Sequence, residues 1–220
     1  HAHSHLAASG TRKPIEDITG EFIRLLQQQE LSDNDLALYS KRGIEALEAF
    51  LSAKYDTFAP SQKPELSFAG QGVVLGQARL TGSLDLVDID NQTITVTDYK
   101  TGKPSTSWTG KSDYEKIKLH KYRQQLMFYE LLCANSRDYA KYDFGGAVLQ
   151  FVELDSRGDI CQLDDRFSRD ELADFQRLIA AVWHCITTLE LPDISSYQAS
   201  YQGMIQFEKD LISNKYLARE

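Results

Sequence analysis

Cysteine is scarce in this 220-residue sequence, and long apolar runs are missing. The three cysteines stand far apart and form no C-x-x-C pair, so neither a disulfide framework nor a cysteine zinc site is indicated. No apolar run approaches the roughly 18 residues of a membrane-spanning helix, and no signal peptide is recognisable. We therefore expect a protein of the reducing cytoplasm that does not use a membrane.

Repeats, low-complexity segments and nucleotide-binding loops are also missing. The sequence contains no G-x-x-x-x-G-K-[ST] motif, so any ATP-driven motor would have to lie outside this sequence. Its length allows one large domain or two small ones, and a hydrophobic content of 42% with 25% charged residues is ordinary for a globular protein.

Hydrophobic periodicity divides the chain into helical and extended segments. Helices are predicted at 14–30, 34–54, 114–134 and 168–189, the last begun by a Ser168/Glu171 capping box. Strands are predicted at 65–69, 72–79, 81–88, 93–99, 146–154 and 160–163, with a loop at 101–112. This order predicts an α/β fold, a mixed β-sheet flanked by helices, in a single domain over 1–220. Within it we expect a helical N-terminal part at 14–54, a core at about 65–163 and a C-terminal helix at 168–190.

Charged residues interrupt two of the predicted strands. Strand residues alternate between faces, so Ile94, Val96, Asp98 and Lys100 share one face of the strand in "TITVTDYK". Asp85 lies between two leucines on the preceding strand. One explanation is an exposed edge strand with a surface ion pair, which is common and contributes little.

The other explanation is a metal site. Two converging carboxylates repel each other unless a cation lies between them, and Mg²⁺ takes carboxylate oxygens together with substrate phosphate. A lysine on the same face can stabilise charge that develops on phosphorus. Two carboxylates and a lysine therefore favour metal-assisted hydrolysis of a phosphodiester.

A basic segment follows these strands although the whole chain has a net charge of −8. Between Lys100 and Arg123 the sequence contains seven lysines and arginines but only two acidic residues, a net charge of +5. The rest of the chain therefore has a net charge of −13. We expect a set of its cations to contact DNA phosphates: Lys111, Lys116, Lys118, Lys121 and Arg123.

Three segments together resemble the PD-(D/E)XK nuclease superfamily, and most closely its RecB-like branch. They are "GSLDLVD", "TVTDYKTG" and, on the helix that follows, "YRQQLMFY". The resemblance implies a restriction-endonuclease-like fold, with Asp85, Asp98 and the backbone carbonyl of Tyr99 as metal ligands and Lys100 as the catalytic lysine. It also implies that Gln125 and Tyr129 support the active site; without the resemblance, a core-facing helical stripe would be the preferred explanation.

Further residues are assigned by the same resemblance. His3 would be a metal ligand on an early helix, unless "HAHSH" is a purification tag. Glu65 would bind the metal or only support the site, and we favour support. The cofactor would be Mg²⁺ or Mn²⁺, and we expect no iron–sulfur cluster because no cysteine cluster is present.

The function expected from these features is metal-dependent hydrolysis of DNA in repair or recombination. RecB-like domains are attached to helicases of the UvrD/Rep or RecB/AddA type. The resemblance therefore implies a fragment of a longer helicase-nuclease, with a helicase module in the same parent chain or a partner subunit. The substrate would be DNA that is single-stranded or has free ends. The alternatives are a catalytically silent domain that binds DNA or docks a helicase, and a structural domain whose strand charges are incidental.

Overall fold

The helices and strands of the protein are taken from a computed structural model, which describes residues 1–213. The helices are α1 (Ala2–Ser9), α2 (Ile15–Leu26), α3 (Asp33–Lys54), α4 (Asp113–Ala134), α5 (Arg169–Thr188) and α6 (Tyr201–Ile212). The strands are β1 (Lys63–Ser67), β2 (Val74–Leu75), β3 (Ala78–Arg79), β4 (Ser83–Asp90), β5 (Thr93–Lys100), β6 (Asp143–Leu154) and β7 (Ile160–Asp165). In this part of the chain, no helix combines the length and apolar character required to cross a membrane.

The five longer strands form one mixed sheet in the order β1-β4-β5-β6-β7. β4 and β5 are an antiparallel hairpin whose pairing runs from Asp90 opposite Thr93 to Leu86 opposite Thr97. Asn91, in the two-residue turn, has a φ of 52°, a left-handed conformation that asparagine tolerates better than most residues. The predicted α/β fold with a mixed sheet flanked by helices is confirmed.

The chain divides into two compact units. The first contains His1–Leu66, Leu84–Thr106 and Val148–Asp164, and thus most of the large sheet. Its buried cluster comes from α1, α2, α3 and the turn that follows them: Leu6, Ile18, Phe50, Leu51, Tyr55 and Phe58. Tyr99, Val152 and Ile160 of β5, β6 and β7 pack against this cluster, so these helices cover one face of the sheet.

The second unit contains the β2–β3 hairpin and the helices α4, α5 and α6, which contact one another. Capping boxes begin α4 at Ser112 and α5 at Ser168. The box at Ser168 and Glu171 is the one predicted from the sequence. α4 buries residues on several sides of the helix, among them Leu126, Leu131 and Leu132.

Two segments differ from the sequence-based prediction. The single strand predicted at 72–79 is a pair of two-residue strands, because Gly76 adopts a φ of 59° and turns the chain between them. A helix that periodicity left unassigned, α6, begins beyond Pro192, where the Ser200 side chain accepts a hydrogen bond from the Gly203 N–H.

Candidate active site

Asp85 and Asp98 lie on the same face of the β4–β5 hairpin. Continuing the observed register by one step beyond Leu86 and Thr97 places Asp85 opposite Asp98. Side chains directly opposite each other in an antiparallel pair point to the same face and lie close together. The alternation predicted from the sequence thus brings the two carboxylates together in the first unit.

Asp98 is a buried charge with a cationic neighbour. The residue is 2% exposed, and one of its carboxylate oxygens lies 2.7 Å from the Lys100 Nζ. The Lys100 side chain is 17% exposed. Ile94 and Val96, which precede these residues on the same face, are fully buried. An exposed surface pair, the first explanation considered above, does not describe this environment.

Asp85 is held by the backbone of the opposite strand. The Tyr99 N–H donates a hydrogen bond of 2.8 Å to the Asp85 carboxylate. Burial raises the pKa of Asp85 above its ordinary value, and the negative charges of Asp98 and Glu65 raise it further. The Tyr99 N–H and Lys100 oppose this shift. Anionic side chains from β1, β4 and β5 therefore act on one another at this point of the sheet.

Glu65 contributes an exposed carboxylate from β1 with an unusual backbone. Its φ is 50°, in the left-handed region that non-glycine residues rarely adopt. Glu65 and Asp85 line a cleft of about 320 Å³ in the first unit, together with His3 and Tyr99. The remaining walls of this cleft are mainly apolar side chains of α2 and α3.

His3 lies beside Tyr99. Its Nε2 is 2.8 Å from the Tyr99 hydroxyl, and its ring stacks on Phe58 with a centroid separation of 3.7 Å. Burial lowers the pKa of His3 to about 4, so the imidazole is neutral at physiological pH, the form that can ligate a metal. Burial likewise raises the pKa of the Tyr99 hydroxyl, which stays protonated.

Residues 1–213 bring no three His, Cys, Asp or Glu side chains into an arrangement that would hold a metal ion on its own. The donors at the hairpin nevertheless suit a hard cation, because they are carboxylate oxygens with mutually unfavourable charges. Mg²⁺ is commonly held by one or two carboxylates, with water and substrate phosphate as its other ligands. Asp85 and Asp98 fit that partial set.

Gln125 and Tyr129 lie one turn apart on α4, in the second unit. The Gln125 amide donates a hydrogen bond of 2.7 Å to the Tyr129 hydroxyl, and Tyr129 is buried. The helical stripe predicted from the sequence is therefore present. Their support of the active site stays a prediction.

The basic residues expected at DNA are also in the second unit, and their surroundings differ. Lys111 and Lys121 are exposed, Lys116 is 4.0 Å from Asp113, and the Lys118 ammonium lies 5.5 Å from the centre of the Tyr122 ring. These positions leave the four lysines as candidates for phosphate contacts.

Arg123 has a structural environment. Its guanidinium donates to Asp165 at 2.6 Å and to Glu171 at 3.0 Å. Two carboxylates thus compensate its charge, and we do not include it in the set proposed to contact DNA.

Glu153 and Arg42, which the sequence analysis did not single out, lie at the exit of β5 and are paired with each other. They are 111 residues apart in the chain, and no local pattern identifies such a contact.

Comparisons with known proteins add the following. The family model described as the PD-(D/E)XK nuclease superfamily matches residues 2–199. A search of curated proteins found no match. Among solved structures, the one titled "Crystal structure of SSO0001" is 10% identical over 78% of this chain and 91% of that one, with a TM-score of 0.33. A likeness this low carries no argument here.

Proposed function

Because the chain belongs to the PD-(D/E)XK nuclease superfamily, we propose that it is a metal-dependent deoxyribonuclease that hydrolyses phosphodiester bonds. The observation that carries the proposal is the face shared by Asp85, Asp98 and Lys100, with Asp98 buried and Lys100 next to it. A two-strand hairpin is a rigid support for such a group.

Asp85, Asp98 and the Tyr99 carbonyl would hold the cation. The raised pKa of Asp85 supports this assignment, since a positive charge at this point would relieve the repulsion that Asp98 and Glu65 exert. When bound, Mg²⁺ or Mn²⁺ supplies a Lewis acid that offsets negative charge on the phosphodiester. Glu65 on β1 would support the site or join the ligands of the cation, and His3 is a further ligand candidate from α1.

Lys100 would act on the substrate itself. Its ammonium is largely buried, where a charge interacts more strongly than in water. A preorganised cation stabilises the extra negative charge of the phosphorus centre in the transition state. We assign Lys100 this role, and we assign Gln125 and Tyr129 the support of the active site.

DNA binding would use the lysines just before α4 and in its first three turns. Lys111, Lys116, Lys118 and Lys121 supply a cationic segment in a chain that is otherwise acidic. Phosphate contacts of this kind bind DNA with little sequence preference. The proposed biological setting is repair or recombination next to a helicase, on single strands or free ends, and the three sequence segments quoted above support it.

The competing function is a catalytically silent domain that binds DNA or docks a helicase partner. One observation favours it, because the Lys100 ammonium already compensates the Asp98 charge without a metal. Cleavage of DNA separates the two functions.

The test is a gel assay with single-stranded and duplex DNA in Mg²⁺, in Mn²⁺ and in EDTA. We expect cleavage with either cation, none in EDTA, and none by Asp98→Asn. Asp88→Asn is the matched control, since Asp88 lies on β4 but on the opposite face from Asp85. Failure of the wild type to cut in either metal, with DNA still bound, would establish the silent domain.

A further inference from the structure

Lys100 is the last residue of β5, and the chain leaves the sheet directly after it. Two residues on, Gly102 has a φ of 91°, a conformation in which glycine is favoured because it has no side chain. The Gly102 N–H donates a hydrogen bond of 2.6 Å to the Glu153 carboxylate. Glu153 is on β6, the strand next to β5, so this bond fixes the exit of β5 to its neighbour.

Glu153 is itself oriented by a residue from another element. Arg42 of α3 donates from Nη2 to both carboxylate oxygens, at 2.6 and 2.9 Å, and from Nε to one of them at 3.2 Å. A planar guanidinium that donates hydrogen bonds to both oxygens of a carboxylate fixes the orientation of that carboxylate as well as its position. The Glu153 side chain is 22% exposed and Arg42 is 56% exposed.

The position of the Lys100 ammonium depends on this exit. Lysine has a flexible four-carbon stem, and the strand sets where that stem starts. The ion pair with Asp98 fixes the charged end of Lys100. The hydrogen bond from Gly102 to Glu153 lies only two residues after Lys100. It holds the end of β5, which would otherwise be prone to local opening.

We propose that Glu153, oriented by Arg42, is a positioning residue that keeps Lys100 in place for catalysis. The proposal rests on the proposed nuclease function and adds to it a residue that acts through Lys100. Small displacements of a catalytic group lower turnover strongly, whereas they leave substrate binding largely intact. An ordinary surface ion pair would affect stability slightly and the reaction not at all.

The test measures kcat, KM and melting temperature for three variants. Glu153→Ala removes the acceptor for the Gly102 N–H, and we expect kcat to fall about tenfold or more while KM stays within about twofold. Glu153→Gln keeps an acceptor oxygen for the Gly102 N–H, so its kcat should be closer to that of the wild type than the kcat of Glu153→Ala. This variant also allows the test if Glu153→Ala does not fold. Glu45→Ala is the control, since Glu45 is an exposed carboxylate on the same helix as Arg42 and pairs with Lys41.

The outcomes separate this inference from the proposed function. Wild-type kcat in Glu153→Ala, in an enzyme that cleaves DNA, overturns the positioning role and leaves the nuclease standing. A loss in Glu153→Gln equal to the loss in Glu153→Ala also overturns it, because the hydrogen bond to Gly102 would not be the cause. An inactive wild type overturns both.

Discussion

Lys100 pairs with Asp98 in the fold, and in the proposed function it also takes part in the reaction. Without a metal, the lysine ammonium compensates a carboxylate that is 2% exposed. A buried charge without a partner would be costly, so loss of Lys100 alone would destabilise the fold. In the proposed function, the same ammonium would act on the substrate phosphate.

Replacement of Lys100 by methionine tests its catalytic role at the residue scale. We expect kcat to fall by about 10²–10³-fold, the usual cost of losing one charge-stabilising group in the transition state. The KM and the affinity for DNA should change little, because this interaction is strongest in the transition state. Lys100→Arg should restore only part of kcat, since a planar guanidinium does not occupy the place of a compact ammonium. Wild-type turnover in Lys100→Met would show that Lys100 has no catalytic role and only pairs with Asp98 in the fold.

Glu130, on α4, gives a prediction on pH. Burial raises its pKa to about 7 from an ordinary 4.5, so the folded protein holds a proton that the unfolded chain releases. The contribution of Glu130 to the free energy of unfolding should therefore be greatest below pH 4.5, where both states hold the proton, and should be lost as the pH rises through 7.

The variant Glu130→Gln isolates this effect. It cannot ionise, so its melting temperature at pH 8 should exceed that of the wild type by roughly 2–4 °C, which corresponds to about 1 kcal/mol for a chain this long. The difference should vanish at pH 4.5. Glu16→Gln on α2 is the control for loss of one glutamate charge. An equal difference at both pH values would show that ionisation of Glu130 is not responsible.

At the scale of elements, the β4–β5 hairpin is the part of the site that the sequence predicts best. Period-two alternation predicts which residues share a face, and the register confirms that Asp85, Asp98 and Lys100 do. The contact of Arg42 with Glu153 and that of His3 with Tyr99 could not be predicted this way. They join residues 111 and 96 positions apart, and only tertiary packing decides such pairs.

Helix α4 carries the prediction on DNA affinity. Neutralising two of its lysines, Lys118→Gln with Lys121→Gln, should weaken binding to all sequences about equally. The slope of log affinity against log salt should fall by roughly 1.4–1.8, as expected for two lost phosphate contacts. Fluorescence anisotropy with a labelled oligonucleotide over a salt series measures it.

The control for this pair is Lys41→Gln with Lys209→Gln. It removes the same charge from α3 and α6. An equal change of slope in the control would show that only the net charge of the protein matters. An unchanged slope in the α4 variant would show that these lysines do not contact DNA.

For the whole molecule, the order of helices and strands could be read from the sequence, because long amphipathic helices and alternating strands leave clear periodic patterns. The β2–β3 hairpin, α1 and α6 could not be read in this way. The β2–β3 hairpin has two residues per strand and a turn that depends on the φ of Gly76, and α1 has only eight residues. The division into two compact units has no signal in composition, since each unit is assembled from three separated segments.

If Asp85 and Asp98 hold a catalytic divalent cation, the most direct measurement of it is a thermal melt with and without Mn²⁺. A ligand that binds only the folded state at a hundred times its Kd adds about 2.7 kcal/mol to the free energy of unfolding. For a chain of this length, that raises the melting temperature by roughly 5–10 °C. We expect this rise in the wild type and in the control Asp88→Asn, and little or none in Asp98→Asn. A wild-type melting temperature that does not respond to Mn²⁺, or an equal rise in Asp98→Asn, would contradict the metal site.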